Sequence, residues 1–248
     1  MNILEVKNIN WYLEDEKILD DIDFTLEEGQ SIIISGTYES GKSLLLKVIG
    51  GITPPSHGRV LFLGRDVYES PDETIDEIHQ QIAFIFQEGA LLSNLNIREN
   101  LLLPLKYHNP RLDLPGITRE IEEFISYFSL GHILDKRPAA LPNVKKKLLS
   151  FVRAAILHPR LMIVDEPLFN LDLDNQKLVL KLLRKIHKSG ISMLIVSNSR
   201  DLIKILGDRW LVMDRGRIVQ DVSSSDPDFD KKLNTISLTD LVGVEDEI

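Results

Sequence analysis

Residues 36–43 read Gly36-Thr37-Tyr38-Glu39-Ser40-Gly41-Lys42-Ser43 and fit G-x-x-x-x-G-K-[ST], the pattern of a phosphate-binding loop, or P-loop. The flanks agree. Ser31-Ile32-Ile33-Ile34-Ser35 is an apolar, β-rich run, and Leu44-Leu45-Leu46-Lys47-Val48-Ile49 is helical. Strand, glycine loop and helix in that order aim backbone N–H groups and a helix N-terminus at an anion. In this reading Gly36 to Ser43 bind nucleotide, Lys42 reaches the outer phosphates, and the Ser43 hydroxyl ligates Mg²⁺. The alternative, a chance Gly-rich turn, does not account for the strand and the helix.

The totals narrow the field. A chain of 248 residues holds one large domain, or a domain with a subdomain. A net charge of −9 argues against nucleic acid as a partner. With no cysteines, disulfides, thiolate metal sites and cysteine nucleophiles are excluded. No apolar run reaches bilayer-spanning length, and the N-terminal residues lack a basic segment followed by an apolar one. These features point to a cytoplasmic protein.

Residues 3–10 and 22–26 alternate as two antiparallel strands, joined through the charged turn Glu14-Asp15-Glu16-Lys17. Trp11 and Tyr12 stand before that turn. Two readings are open for them: core or edge aromatics, or a stacking platform for an adenine ring. Thr53 to Gly58 is a breaker cluster, followed by a strand at 59–63, a helix at 75–81 and a buried strand at 82–86 that stops at Gln87. Helical patterns at 97–106, 117–130 and 143–157 make roughly 88–158 a helical insertion in an α/β core. Apolar strands at 161–164 and 193–196, a helix at 174–188, a short helix at 200–206 and a final hairpin around Asp214-Arg215-Gly216-Arg217 complete residues 1–220. Residues 221–248 form an acidic tail, read either as disordered or as docking on another protein.

Asp165-Glu166 closes the apolar strand at 161–164, as in a Walker B motif. Asp165 would hold Mg²⁺ through water, and Glu166 would polarise the attacking water as general base. A bare acidic pair capping a turn is the alternative. Gln87, at another strand end, suits a Mg²⁺-ligating and water-positioning role.

Taken in order, P-loop, strand-end Gln87, helical insertion and Walker B resemble the ATPase subunit of an ATP-binding cassette transporter. Asn170-Leu171-Asp172 after Walker B resembles that family's D-loop, and the 214–219 hairpin also matches. The resemblance implies a P-loop NTPase (RecA-like) α/β core with an antiparallel β subdomain and an inserted helical subdomain. It implies ATP and Mg²⁺, a second ATPase subunit closing over two ATP molecules as a homo- or heterodimer, and an integral-membrane permease. The chain would then sit peripherally on the inner membrane. Ile49-Gly50-Gly51 with His57-Gly58, and Phe86 to Leu92 with Asn100 and Pro104-Leu105, resemble the Mla/Mce-type phospholipid-transport ATPases. That narrower likeness implies lipid transport and a lipid-binding Mce-type partner.

Three departures cluster on the γ-phosphate side. The family's Leu-Ser-Gly-Gly-Gln signature aligns with Leu141-Pro142-Asn143-Val144-Lys145. Pro142 has neither hydroxyl nor N–H, yet suits a helix start. Val144 places a branched side chain where glycine allows close approach. Lys145, Lys146 and Lys147 read either as some replacement positive charge or as a solvated helix face. The family's switch histidine aligns with Asn198, which can donate a hydrogen bond but carries no charge; it is the remaining catalytic candidate. Glu39 stands where the family has glycine, either close to the phosphates or facing a partner. The six histidines read as surface or packing residues. ATP binding is expected; the readings divide between a slow transport ATPase and an ATP-binding module with little turnover.

Overall fold

The computed structural model describes residues 1–108, 121–122, 125–126 and 130–235. Two sheets organise them. Strands β1 (Asn2–Leu13), β2 (Glu16–Glu27), β4 (His57–Phe62) and β5 (Arg65–Asp66) form an antiparallel sheet in the order β2-β1-β4-β5. Strands β3 (Ser31–Gly36), β6 (Ile82–Ile85), β7 (Leu161–Asp165), β8 (Ser192–Val196), β9 (Arg209–Asp214) and β10 (Arg217–Ser223) form the other, ordered β10-β9-β3-β8-β7-β6. All neighbours in it are parallel except the β9–β10 hairpin.

The central strands β3, β7 and β8 are buried at every position, as parallel strands covered on both faces must be. Their side chains alternate between two cores. Ile32, Ile34, Ile163 and Leu194 face α1 (Lys42–Ile49) and the antiparallel sheet. Ile33, Met162, Val164 and Ile195 face the other helices. Those are α3 (Ile97–His108), α4 (Asn143–Ala155), α5 (Leu173–Lys188) and α6 (Arg200–Leu206), whereas α2 (Asp72–Gln81) buries Ile78 in the first core. This arrangement is the α/β core with antiparallel and helical additions that the sequence predicts.

Between β6 and β7 lie α3, short 3-10 turns at Gly131–Ile133 and Pro138–Ala140, and α4. The expected helix at 117–130 and the loop from Asn109 to Gly116 fall largely outside the described residues. Buried Asn100 knits the segment that follows Gln87: its Oδ1 accepts from Leu92 N–H, and its Nδ2 faces the carbonyls of Leu92 and Asn96.

The predicted tail is ordered further than expected. β10 runs to Ser223, and α7 (Phe229–Thr235) follows. Phe229 and Leu233 are buried, with Phe229 edge-on to Trp210 at 6.3 Å. An apolar i, i+4 pair on one helix face explains why this stretch packs. Residues 236–248, with Leu241 to Val244 and the acidic end, lie outside the described residues.

Candidate nucleotide site

The P-loop joins β3 to α1, and its glycines are required by shape. Gly36 has φ +152° and approaches β9 so closely that a Cβ would lie 1.9 Å from the Met213 carbonyl oxygen. Gly41, at φ +88°, would bring a Cβ to 2.8 Å from Leu19. Glu39 occupies φ +60° without being glycine, a strain of ~1 kcal/mol. Its side chain is exposed at the rim of the cleft above the loop. Thr37 Oγ1 donates to Asp214 Oδ1 at 3.0 Å, tying the loop to the end of β9. Sequence reasoning placed Asp214 only in a turn; the tie to the loop needs the sheet order to bring them together.

Lys42 curls back on the loop. Its Nζ donates to the Gly36 carbonyl at 3.0 Å, to the Thr37 carbonyl and to Ser40 Oγ at 3.0 Å. Burial lowers its pKa, opposed by the carboxylates of Glu166 and Asp165. Ser43 Oγ donates to Asp165 Oδ1 at 3.1 Å, across from the end of β7. Loop, helix start and Walker B strand therefore meet as the two motifs predict.

The cleft over the P-loop measures ≈ 990 Å³ and is lined by Tyr38, Glu39, Ser40, Gly41, Lys42, Ser43, Gln87, Glu166 and Asn198, among others. Asp165 is nearly buried beneath it. Burial raises the pKa of Asp165, against the Ser43 hydrogen bond and Lys47, Lys42 and Lys147. Burial first, and the Asp165 charge second, push the Glu166 carboxyl up to about 7; Lys42 and Lys147 oppose that. A carboxyl poised there can accept a proton from water near neutral pH.

Asn198 is placed differently from a free γ-phosphate donor. Gly36 N–H donates to its Oδ1 at 3.0 Å, and its Nδ2 donates to the Gly36 carbonyl at 3.2 Å. Trp11 and Tyr12 do not line the cleft; Glu16 and Ile18, across the hairpin, do. Trp11 packs on the core beneath the sheet. Tyr12 is edge-on to His57 at 6.2 Å, with Lys17 Nζ 5.9 Å from its ring centre.

The degenerate signature starts α4 as expected of Pro142, which stands as N-cap at φ −59°, ψ 151°. Val144 turns inward against the core and lines a smaller cavity of ≈ 160 Å³ with Gln87, Lys147 and Phe169. Asp172 of the D-loop caps α5, its Oδ1 accepting from Asn175 N–H at 2.9 Å. The reading of three solvated lysines fails at Lys147. Lys145 contacts His132 and Lys146 contacts Asn143, both at the surface, but Lys147 is only 4% exposed. Its Nζ donates to the carbonyls of Glu166 at 2.8 Å and Phe169 at 3.0 Å, and burial lowers its pKa to about 8.

The donor set fits Mg²⁺. Ser43 and Gln87 line the cleft and Ser43 Oγ donates to Asp165 Oδ1, so hydroxyl, amide and carboxylate oxygens of the hard kind that Mg²⁺ takes stand at the P-loop.

The chain is similar to known proteins in sequence and in fold. The chain is 29% identical over 218 residues to the methionine import ATP-binding protein MetN of Clostridium acetobutylicum, covering 87% of this chain and 67% of that protein. It is 31% identical over 220 residues to the molybdate/tungstate import ATP-binding protein WtpC of Pyrococcus horikoshii, covering 88% and 61%. It is 29% identical to the spermidine/putrescine import ATP-binding protein PotA of Spiroplasma citri, again covering 88% and 61%. The chain thus spans about two thirds or less of the length of these relatives. Among solved structures, a dimeric ATP-binding cassette in a post-hydrolysis state with ADP and Pi shares the fold, with a TM-score of 0.81 at 21% identity over 89% of this chain and 98% of that one. The ATP-binding subunit of an ABC transporter superposes with a TM-score of 0.83 at 23% identity, covering 95% and 96%. A sequence profile of the ABC transporter family matches residues 19–169, from within β2 to the turn after Glu166, and the chain belongs to that family as an ATP-binding cassette.

Proposed function

We propose that this chain is the ATP-hydrolysing subunit of a transport complex, working as one of two cassettes beneath a membrane permease. The observation that carries the reading is Glu166: a carboxyl held near neutral pKa at the lip of a P-loop cleft, next to Lys42 and the Ser43–Asp165 pair. In the proposed reaction the γ-phosphoryl group of ATP passes to water. Glu166 takes the water proton, Gln87 orients the water, and Lys42 leaves the loop carbonyls to meet the phosphates. Mg²⁺ held by Ser43, Asp165 and Gln87 would offset charge on the phosphate oxygens.

The relatives support an import complex in general. They are named for the import of methionine, of molybdate or tungstate, and of spermidine or putrescine, which share no chemistry. A phospholipid cargo and an Mce-type partner rest on the residue likeness at 49–51, 57–58, 86–92, 100 and 104–105 alone. Among the described residues no helix is long and apolar enough to cross a membrane, so the membrane contact would come through the permease.

A second reading is favoured by two observations. Pro142 offers no donor at the start of α4, and the oxygen and the nitrogen of the Asn198 amide both bond to Gly36. In a homodimer both composite sites would lack those γ-phosphate donors, and ATP would act as an assembly ligand. In a heterodimer, this chain's P-loop would pair with an intact signature from its partner. The deciding experiment is ATP turnover by the chain co-purified with its permease, beside K42A. Turnover abolished by K42A supports the motor reading; Mg-ATP binding with no turnover above K42A overturns it in favour of the ligand reading.

A further inference from the structure

Lys147 poses a problem of cost. A buried ammonium is expensive unless its protons are bonded. Lys145 and Lys146 take the surface, yet Lys147 enters the protein from the second turn of α4. No carboxylate lies within ion-pair distance of its Nζ among the described residues; its Nζ donates to two backbone carbonyls, those of Glu166 and Phe169.

Those carbonyls belong to a strained turn. Glu166 has φ +43° and Asn170 φ +57°, neither being glycine. Such residues persist only where surrounding contacts hold them, at a cost on the order of 1 kcal/mol each. Within the turn, Phe169 N–H donates to the Glu166 carbonyl at 3.2 Å and Leu171 N–H to the Leu168 carbonyl at 3.3 Å, both long. The shorter bond to Glu166 O is the one from Lys147. On its other side Glu166 N–H donates to the Val196 carbonyl at 3.0 Å. The residue is therefore held at its amide by β8 and at its carbonyl by α4.

We propose that Lys147 is a positioning residue: it clamps the turn from Glu166 to Phe169 onto α4 and so sets where the Glu166 carboxylate points in the cleft. The clamp also joins the start of α4 to the base on the same chain, so that a displacement of the degenerate signature segment is carried to Glu166. This role for Lys147 rests on the proposed reaction only where it concerns turnover; the clamp itself does not.

Amide hydrogen exchange on the intact chain reads the clamp without requiring hydrolysis. K147M keeps the length and apolar stem but has no donor; K147Q keeps a neutral N–H donor. K147M is expected to speed exchange at Phe169 and Leu171 about tenfold, with β3 and β8 unchanged, and K147Q to recover most of the protection. In the permease complex, K147M is expected to lower kcat about tenfold or more while KM for ATP stays within about twofold, and K147Q to restore kcat. Unchanged exchange at Phe169 and Leu171 in K147M overturns the proposal. So does a loss of protection spread over the whole chain that K147Q does not rescue. If the wild type shows no turnover, the reaction proposed above fails, and the exchange result still decides the clamp.

Discussion

Asn198 and Gly36 hold each other through both ends of one amide: Gly36 N–H donates to Oδ1 at 3.0 Å, and Nδ2 donates to the Gly36 carbonyl at 3.2 Å. The same carbonyl accepts from Lys42 Nζ. Asn198 therefore braces the first residue of the P-loop.

A brace and a γ-phosphate sensor differ in what they distinguish. Removing a brace worth ~1 kcal/mol weakens ATP and ADP together, by about threefold to tenfold. Calorimetric titration of N198A with both nucleotides checks this. A loss confined to ATP would make Asn198 a sensor of the γ-phosphate instead.

The P-loop, Walker B pair and sheet core were legible because each is local: an eight-residue motif, a strand end and unbroken apolar runs. What was missed depends on phase and on distance. Positive-φ residues Asn8 and Asp21 interrupt the alternation of β1 and β2, so the strands read as ending at 10 and beginning at 22 while pairing continues to Leu13 and Glu16. Lys147 stands four residues before Phe151 and so shares the buried face of α4; its charge, read without that phase, put it in solvent. Phe229 and Leu233 are two apolar positions in an acidic segment, too few to signal a helix. The Asn198–Gly36 pair joins residues 162 apart, which only the β3–β8 neighbourhood reveals.

Glu166 links pH to stability. Its folded pKa of about 7 lies above the ordinary 4.5 because burial disfavours its charge. The native state binds more protons than the unfolded chain between those values, so the group costs stability as pH rises from 4.5 through 7. E166Q removes the charge and keeps the shape. Denaturant unfolding of the nucleotide-free chain is expected to find E166Q more stable than wild type at pH 8 by about 1–2 kcal/mol, converging at pH ~4. Equal stability at both pH values would count against a desolvated carboxylate.

Turnover should show the same carboxyl in the opposite sense. The base must be unprotonated, so hydrolysis is expected to fall about tenfold per unit as pH drops below about 7. A rate–pH profile at saturating Mg-ATP checks it, and a flat profile from pH 8 to 5.5 would contradict it.

α7 is a structural part of the cassette. Phe229 packs edge-on to Trp210, whose Nε1–H donates to Ser35 Oγ at 2.7 Å directly beneath the P-loop. F229A should cost about 3 kcal/mol by thermal or denaturant unfolding. A change under 0.5 kcal/mol would mean that the helix does not contribute to the fold.

The central claim is that Glu166 is the base of an ATP-hydrolysing cassette. Single-turnover conversion of bound Mg-ATP to ADP, in the chain assembled with the proposed permease and second cassette, tests it most directly. The wild type should convert ATP, and E166Q should bind it with the same affinity and hold it uncleaved. Conversion by E166Q at the wild-type rate would contradict the assignment.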